Sequence, residues 1–128
     1  MLVKSFIFLC MFFGHIVDDY YLQGWLASAK QKTWWEENAP DELYRNDYKL
    51  ALFMHAFSWT FVMMLPAAVY SFVTGGLDGL YLVYFILNIV VHMCVDNLKA
   101  NKKVINLVVD QSVHMLQIFA TWWYLIVL

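Results

Sequence analysis

The sequence has few charged residues for its length. Only 14% of its 128 residues are charged, 8 basic and 10 acidic, whereas an ordinary soluble domain carries about 25%. Hydrophobic residues make up 62% of the chain, and its mean hydropathy is positive. So few charges argue against a free cytosolic domain. So many hydrophobic residues exclude a disordered chain, which requires low hydrophobicity.

Several other features of common protein classes are missing. The net charge of -2 provides no basic surface, so we expect no nucleic-acid partner. The two cysteines, Cys10 and Cys94, are too few for a disulfide scaffold or a cysteine-based zinc motif. Ser58 and Ser71 lack the Gly-x-Ser-x-Gly setting of a serine nucleophile. We expect the lipid bilayer to be the main surrounding of this chain.

The charges are also unevenly placed, which leaves long apolar stretches. About 20 apolar residues cross a hydrocarbon core of about 30 Å, and a lipid-exposed backbone must form helices to satisfy its hydrogen bonds. Short turns at Gly75-Gly76 and Asn101-Lys102-Lys103 make neighbouring helices antiparallel. We therefore predict an all-α fold, a four-helix transmembrane bundle forming one integral membrane domain over 1–128, with spans at about 3–27, 50–73, 77–98 and 104–127.

The first span has a competing interpretation as a secretory signal peptide. Lys4, the apolar run after it and Ala27-Ser28-Ala29 superficially fit one. However, Asp18 and Asp19 stand between the apolar run and the supposed cleavage site. The region is too long and too acidic, so we favour a span that is retained.

The basic residues predict the orientation. Seven of the eight lie in the connections 28–49 and 99–103, and basic loops face the cytoplasm. We therefore predict a multi-pass protein of the inner (plasma) membrane with both termini outside. The motif Ala39-Pro40-Asp41-Glu42 is typical of a helix start. We therefore expect helix two to begin near Pro40 and to project into the cytoplasm before it enters the membrane near Leu50, as an additional cytoplasmic helix or connection between spans one and two.

All four histidines lie within or beside the predicted spans. Three of them stand four residues from an aspartate on the same helix, and residues at this spacing share a helix face. Counted from the cytoplasmic ends, these side chains and His55 all fall in the inner half of the predicted bundle. We therefore expect one site that opens to the cytoplasm, formed by three pairs: His15 with Asp19, His92 with Asp96, and His114 with Asp110.

Ionisable residues inside a span indicate function, and imidazole with carboxylate favours Zn, Mn, Fe or Ni. Asp18 is a less secure member, because it lies about 100° around an α-helix from Asp19. The predicted metal ligands are His15, His55, His92 and His114, and the predicted catalytic carboxylates are Asp19, Asp96 and Asp110. The predicted substrate-binding residues are Gln23, Lys30, Lys99 and Gln111.

Two functional hypotheses remain open at this point. The first is a metal-dependent hydrolase of a lipid-linked or phosphorylated substrate at the inner leaflet. The second is a non-enzymatic membrane protein, either a proton or ion pathway or a partner-binding subunit, with structural His–Asp pairs worth only about 0.6 kcal/mol each. A through-pathway is less favoured because few polar residues continue into the outer half. A second copy of the chain is a further candidate partner, although no Gly-x-x-x-Gly face predicts a dimer.

The order of the polar residues resembles that of a known family. The motifs are His15-x-x-Asp18-Asp19-x-x-x-Gln23, then Lys30, a single His55, His92-x-x-x-Asp96-x-x-Lys99, and Asp110-Gln111-x-x-His114. They resemble a family of small polytopic inner-membrane proteins of bacteria and phages, of unknown function, and the resemblance covers essentially the whole chain. The pattern is also distantly similar to that of metal-dependent membrane hydrolases. The resemblance implies a bacterial or phage origin and supports the site.

Overall fold

The computed structural model describes residues 1–128 and is built of helices alone. Helices cover 84% of the chain and no strand is present, so the predicted all-α class is confirmed. The four long helices are α1 (Leu2–Val17), α4 (Asp47–Thr74), α5 (Gly79–Asn97) and α6 (Leu107–Trp122). The connection from α1 to α4 holds α2 (Leu26–Ala29), α3 (Lys32–Asn38) and a 3₁₀ turn at Glu42–Tyr44.

Three of the long helices end in a wider, π-helical turn. These turns are Asp18–Leu22 after α1, Leu98–Lys102 after α5 and Trp123–Val127 after α6. Single π turns are frequent at functional sites. The turn after α1 matters most here, because the consecutive Asp18 and Asp19 are both buried in it.

The first two helices differ from the predicted boundaries. The helix of span one ends at Leu22 rather than near residue 27, because Gly24 adopts a left-handed φ of +49° and turns the chain. Pro40 does not begin the long second helix. The Asp41 side chain instead accepts a hydrogen bond from the Leu43 N–H at 2.9 Å and caps the short 3₁₀ turn, and α4 begins only at Asp47.

Two helical segments are long and apolar enough to cross a membrane, Glu42–Thr74 and Gly79–Lys102. The α-helical parts of α1 and α6 have 16 residues each. At 1.5 Å per residue that is about 24 Å, short of a hydrocarbon core of about 30 Å. Four membrane crossings therefore need the π-helical turns as well.

The four long helices pack as a ring in which each contacts two others. Helix α1 contacts α4 and α6, and α5 contacts the same two. The α1–α4 contact depends on Gly14, because a Cβ there would lie 2.9 Å from the backbone oxygen of Val62. An apolar core fills the interior at the level of Met11, Met63 and Ile118.

Polarity in this structure is inverted relative to a soluble protein. Of the 27 buried residues 12 are polar or charged, whereas such residues are almost never fully buried without partners. Many large apolar side chains are exposed instead, for example Phe72, Leu82 and Leu116. Exposed apolar surface of this extent marks a contact with lipid or with another protein.

Candidate metal centre

Side chains from four parts of the fold meet in one buried group. We call it the His/Asp cluster, and every member is buried. Helix α4 contributes one residue, α1 with its π turn three, and α5 and α6 two each. The members are His15, Asp18, Asp19, His55, His92, Asp96, Asp110 and His114.

Two sets of three residues in the cluster have the geometry of a metal site. They are Asp19–His55–His92 and His92–Asp96–His114, and within each set the candidate ligand atoms lie within 4.8 Å of one another. His92 belongs to both. His55 belongs to the first set and also lies close to the second. Its Nε2 lies 3.2 Å from Asp19 Oδ1 and 3.4 Å from Asp96 Oδ2. These buried groups could hold a metal ion.

Five imidazole nitrogens in the cluster have no hydrogen-bond partner. They are both nitrogens of His55, both nitrogens of His92, and Nε2 of His114. A buried polar atom left unsatisfied costs about 1–3 kcal/mol, so native proteins rarely keep several together. These nitrogens lie beside carboxylates, the donor combination that transition metals accept.

His114 is oriented by a neighbour on its own helix. The Gln117 amide donates to the backbone oxygen and the Oδ1 of Asn88, both at 3.1 Å. Gln117 Oε1 therefore faces the ring and accepts from His114 Nδ1–H at 3.1 Å. His114 Nε2 is then directed between Asp96 Oδ1 at 3.5 Å and Asp110 Oδ1 at 3.6 Å. Metal-binding histidines are commonly held in this way through the second nitrogen.

His15 differs from its predicted role as a metal ligand. Trp59 Nε1–H donates to His15 Nδ1 at 2.8 Å, so the ring proton sits on Nε2. His15 Nε2–H then donates to Gln111 Oε1 at 3.0 Å. Both nitrogens are engaged, and no lone pair is left for a metal. His15 instead orients Gln111.

Gln111 continues this chain of hydrogen bonds to the carboxylates. Its amide donates to Asp19 Oδ2 at 3.1 Å and to Asp110 Oδ2 at 3.0 Å. Because an ionised carboxylate is an acceptor only, both contacts suit charged aspartates. The sequence predicted Gln111 as a substrate-binding residue, and the structure places it inside the cluster's own network.

Two residues of α4 take part that the sequence had not indicated as site residues. Trp59 donates to His15 and also stacks on the His92 ring, with centroids 4.3 Å apart and planes at 27°. Ser58 Oγ–H donates to Asp18 Oδ1 at 2.6 Å, which fixes Asp18 beside His55, 3.7 Å from its Nδ1. The signal for Trp59 was its spacing of four residues from His55, which places both on one helix face.

The two predicted lysines are each paired with a carboxylate of the cluster. Lys30 Nζ lies 2.6 Å from Asp96 Oδ2 and Lys99 Nζ lies 2.6 Å from Asp110 Oδ2. Lys30 is buried even though it lies in the connection after α2. Asn101 holds that connection in place, because its side chain donates to the Lys30 backbone oxygen at 3.0 Å and accepts from the Lys32 N–H at 2.7 Å.

Gln23 lies at the edge of the cluster. Its amide donates to the backbone oxygen of Asp19, and its own Oε1 has no partner. It makes no hydrogen bond to another side chain of the cluster. Of the four predicted substrate-binding residues, the structure thus places Lys30, Lys99 and Gln111 against the carboxylates and Gln23 against the backbone only.

The charge of the cluster depends on its protonation. When all four buried aspartates are ionised they carry four negative charges, against the two positive charges of Lys30 and Lys99. With neutral histidines the net charge is -2, because -4 plus 2 leaves -2. Uncompensated buried charge costs several kcal/mol per ion. One divalent cation or two protons on the histidines would restore neutrality.

Replacing Lys30 tests the importance of this pairing for stability. In Lys30→Met the Asp96 carboxylate loses its closest cation, so we expect the free energy of unfolding to fall by about 3–5 kcal/mol. The measurement is chemical and thermal unfolding of the purified protein in detergent. Lys32→Met is the control, because its exposed pair with Glu36 at 3.4 Å is worth at most about 1 kcal/mol. Equal stability of the two variants would contradict the role of Lys30.

Comparisons with known proteins find no relative of this chain. The chain matches no protein-family model, no curated protein and no solved structure. The family resemblance of its polar motifs therefore stays a prediction. The function has to be inferred from the buried cluster itself and from the surface around it.

Proposed function

We propose that this chain is an integral membrane protein with four spanning helices that holds a divalent transition metal in the His/Asp cluster. We further propose that it is a metal-dependent hydrolase of a lipid-linked or phosphorylated substrate at the inner leaflet. The single observation that carries the proposal is the clustering of buried imidazole nitrogens, five of them without a hydrogen bond, with carboxylate oxygens in two sets whose ligand atoms lie within 4.8 Å of one another.

The inverted polarity supports the membrane assignment. A buried polar cluster inside an exposed apolar surface is what a helical protein in lipid requires, because lipid excludes unpaired polar groups. The two long apolar segments fit two of the spans, and α1 and α6 would complete four. Seven basic residues at the end that carries the cluster favour the cytoplasmic side for its opening.

The proposed ligands are the members of the two sets of three residues. They are His55, His92 and His114 with Asp19 and Asp96. Nitrogen and oxygen donors together suit Zn, Mn, Fe or Ni. One divalent cation also brings the net charge of the cluster from -2 to zero. His15 orients Gln111 instead, as its two hydrogen bonds require.

The proposed reaction is hydrolysis of an ester or a phosphoester. A divalent ion held by these residues would supply charge stabilisation of the oxygen that becomes negative in the transition state. Asp110 is the proposed base: its Oδ2 is held by Lys99 and Gln111, while its buried Oδ1 has no hydrogen-bond partner. Asp110 Oδ1 takes a proton from water, the water oxygen bonds to the carbonyl carbon or phosphorus, and the bond to the leaving oxygen breaks. The leaving oxygen then takes that proton.

A second candidate function has its own supporting observation. His114 Nε2 lies about equally far from Asp96 Oδ1 and Asp110 Oδ1, at 3.5 and 3.6 Å, which also suits a protonated imidazole. Two protons on the histidines would balance the charge without a metal. The protein would then be a non-enzymatic membrane protein that stores or moves protons.

Metal titration of purified protein in detergent distinguishes the two functions. We expect the wild type to bind one equivalent of Zn²⁺ or Co²⁺ by calorimetry. His55→Gln and His92→Gln should lose saturable binding, because each removes a ligand. His15→Gln should still bind one equivalent, with about 10–100-fold lower affinity, because it only positions Gln111.

Two results would count against this ligand set. Loss of binding in His15→Gln as complete as in His92→Gln would show that His15 ligates the metal. A wild type that binds neither ion would favour the protonated cluster instead.

Hydrolysis is tested with two generic substrates in detergent micelles, bis(p-nitrophenyl) phosphate and p-nitrophenyl butyrate. We expect metal-dependent release of p-nitrophenol from one of them. Asp110→Asn should lower kcat by about 10²–10⁴-fold, because it removes the base, and should leave the metal stoichiometry at one. Wild-type protein with metal that hydrolyses neither substrate would contradict the enzymatic part and leave the metal site standing.

A further inference from the structure

An apolar groove runs along the seam between α1 and α6 and reaches the His/Asp cluster from the side. Two adjoining cavities form it, of about 790 and 620 Å³, which share Tyr20, Gln111 and Met115 as lining residues. We call it the α1–α6 groove. The volume of each cavity lies within the range of small-molecule binding sites, about 300–1,000 Å³.

The groove is apolar along most of its length and polar at one place. Seven of the nine residues that line its larger cavity are hydrophobic. The polar place is formed by Gln111 and the neighbouring Ser112, with His15 next to Gln111 in the smaller cavity. Gln111 is also the residue that hydrogen-bonds to Asp19 and Asp110. A molecule in the groove is therefore separated from the cluster carboxylates by one side chain.

Gln111 has one hydrogen-bonding position left for an occupant. Its amide hydrogens go to the two carboxylates, and its Oε1 accepts one hydrogen bond, from His15. A carbonyl-type oxygen has two lone pairs, so Oε1 can accept one more. An occupant with a long apolar part and, beside it, a hydrogen-bond donor such as the P–OH of a phosphate monoester matches this arrangement.

The position along the helix also fits such an occupant. Gln111 lies four residues into α6, about 6 Å from its start at Leu107. At the far end Phe8 and Phe119 close the seam, with ring centroids 6.4 Å apart and planes at 81°. An acyl chain would lie against Met115 and Leu116, and its polar linkage would lie at Gln111.

We propose that the α1–α6 groove binds a phosphatidic-acid-type phospholipid of the inner leaflet, whose P–OH donates to Gln111 Oε1, and presents its phosphate monoester to the cluster there. This inference rests on the proposed membrane placement and hydrolase function, and it names the substrate class of that same site. Substrate then enters sideways from the bilayer and needs no opening through the α2–α3 connection.

The chain provides a matched control groove on the other side of α1. It lies between α1 and α4, has a volume of about 520 Å³, and is lined by residues such as Leu9, Cys10 and Leu65. No member of the His/Asp cluster lines it. Ordinary boundary lipid should occupy both grooves alike. A substrate-binding groove should instead bind its lipid saturably.

The test uses phosphatidic acid with a diazirine on one acyl chain, at increasing mole fraction in phosphatidylcholine nanodiscs that hold the Zn²⁺-loaded protein. We expect cross-links at Met115, Leu116 and Phe119 that saturate at low mole fraction. Cross-links in the α1–α4 groove should rise linearly. Ser112→Trp, which fills the α1–α6 groove, should reduce its labelling at least tenfold, whereas Cys10→Trp should leave it unchanged.

Zinc content measured in the same samples separates this inference from the proposed function. One equivalent of Zn²⁺ with linear labelling of both grooves would overturn the lipid site and leave the metal site standing. Saturable labelling of the α1–α6 groove without bound Zn²⁺ would support the lipid site and contradict the metal-dependent hydrolase. Equal labelling of wild type and Ser112→Trp would overturn the lipid site in either case.

Discussion

Compensation of four buried aspartate charges is the constraint on which the rest of this structure depends. Lys30 and Lys99 each neutralise one carboxylate at 2.6 Å, and the loop after α2 is held by Asn101 so that Lys30 reaches Asp96. With all four aspartates ionised and the histidines neutral, two negative charges remain in a place where uncompensated charge costs several kcal/mol. The proposed divalent cation follows from that remainder and from the unpaired imidazole nitrogens beside it.

The hydrogen-bond network divides the histidines into two kinds. His15 lies between the Trp59 indole and the Gln111 amide, so both of its nitrogens are used and it can only position its neighbours. His55 and His92 have no hydrogen-bond partner on either nitrogen. Gln111, held by His15, donates hydrogen bonds to two carboxylates on one side and lines an apolar groove on the other. The same side chain thus connects the proposed metal centre with the surface that lipid would reach.

Much of this arrangement could be predicted from spacing, because helix periodicity places residues four apart on one face. The all-α class and the placement of His92 beside Asp96 follow from that rule. What could not be predicted depends on how separate helices approach each other. The indole of Trp59 reaches His15 only because α1 and α4 pack closely, and a helical wheel gives no hydrogen-bond direction between helices. The burial of Asp18 depends on a π turn that sequence periodicity does not predict.

X-ray absorption spectroscopy of the purified protein, loaded with one equivalent of Zn²⁺, tests the central claim most directly. The His/Asp cluster predicts a first shell of nitrogen and oxygen only, with the multiple scattering of about three imidazole rings at Zn–N distances near 2.0–2.1 Å. A wild-type spectrum of this kind that loses imidazole scattering in His92→Gln would support the account. A first shell with sulfur at about 2.3 Å, or a spectrum of hydrated zinc without imidazole, would contradict it.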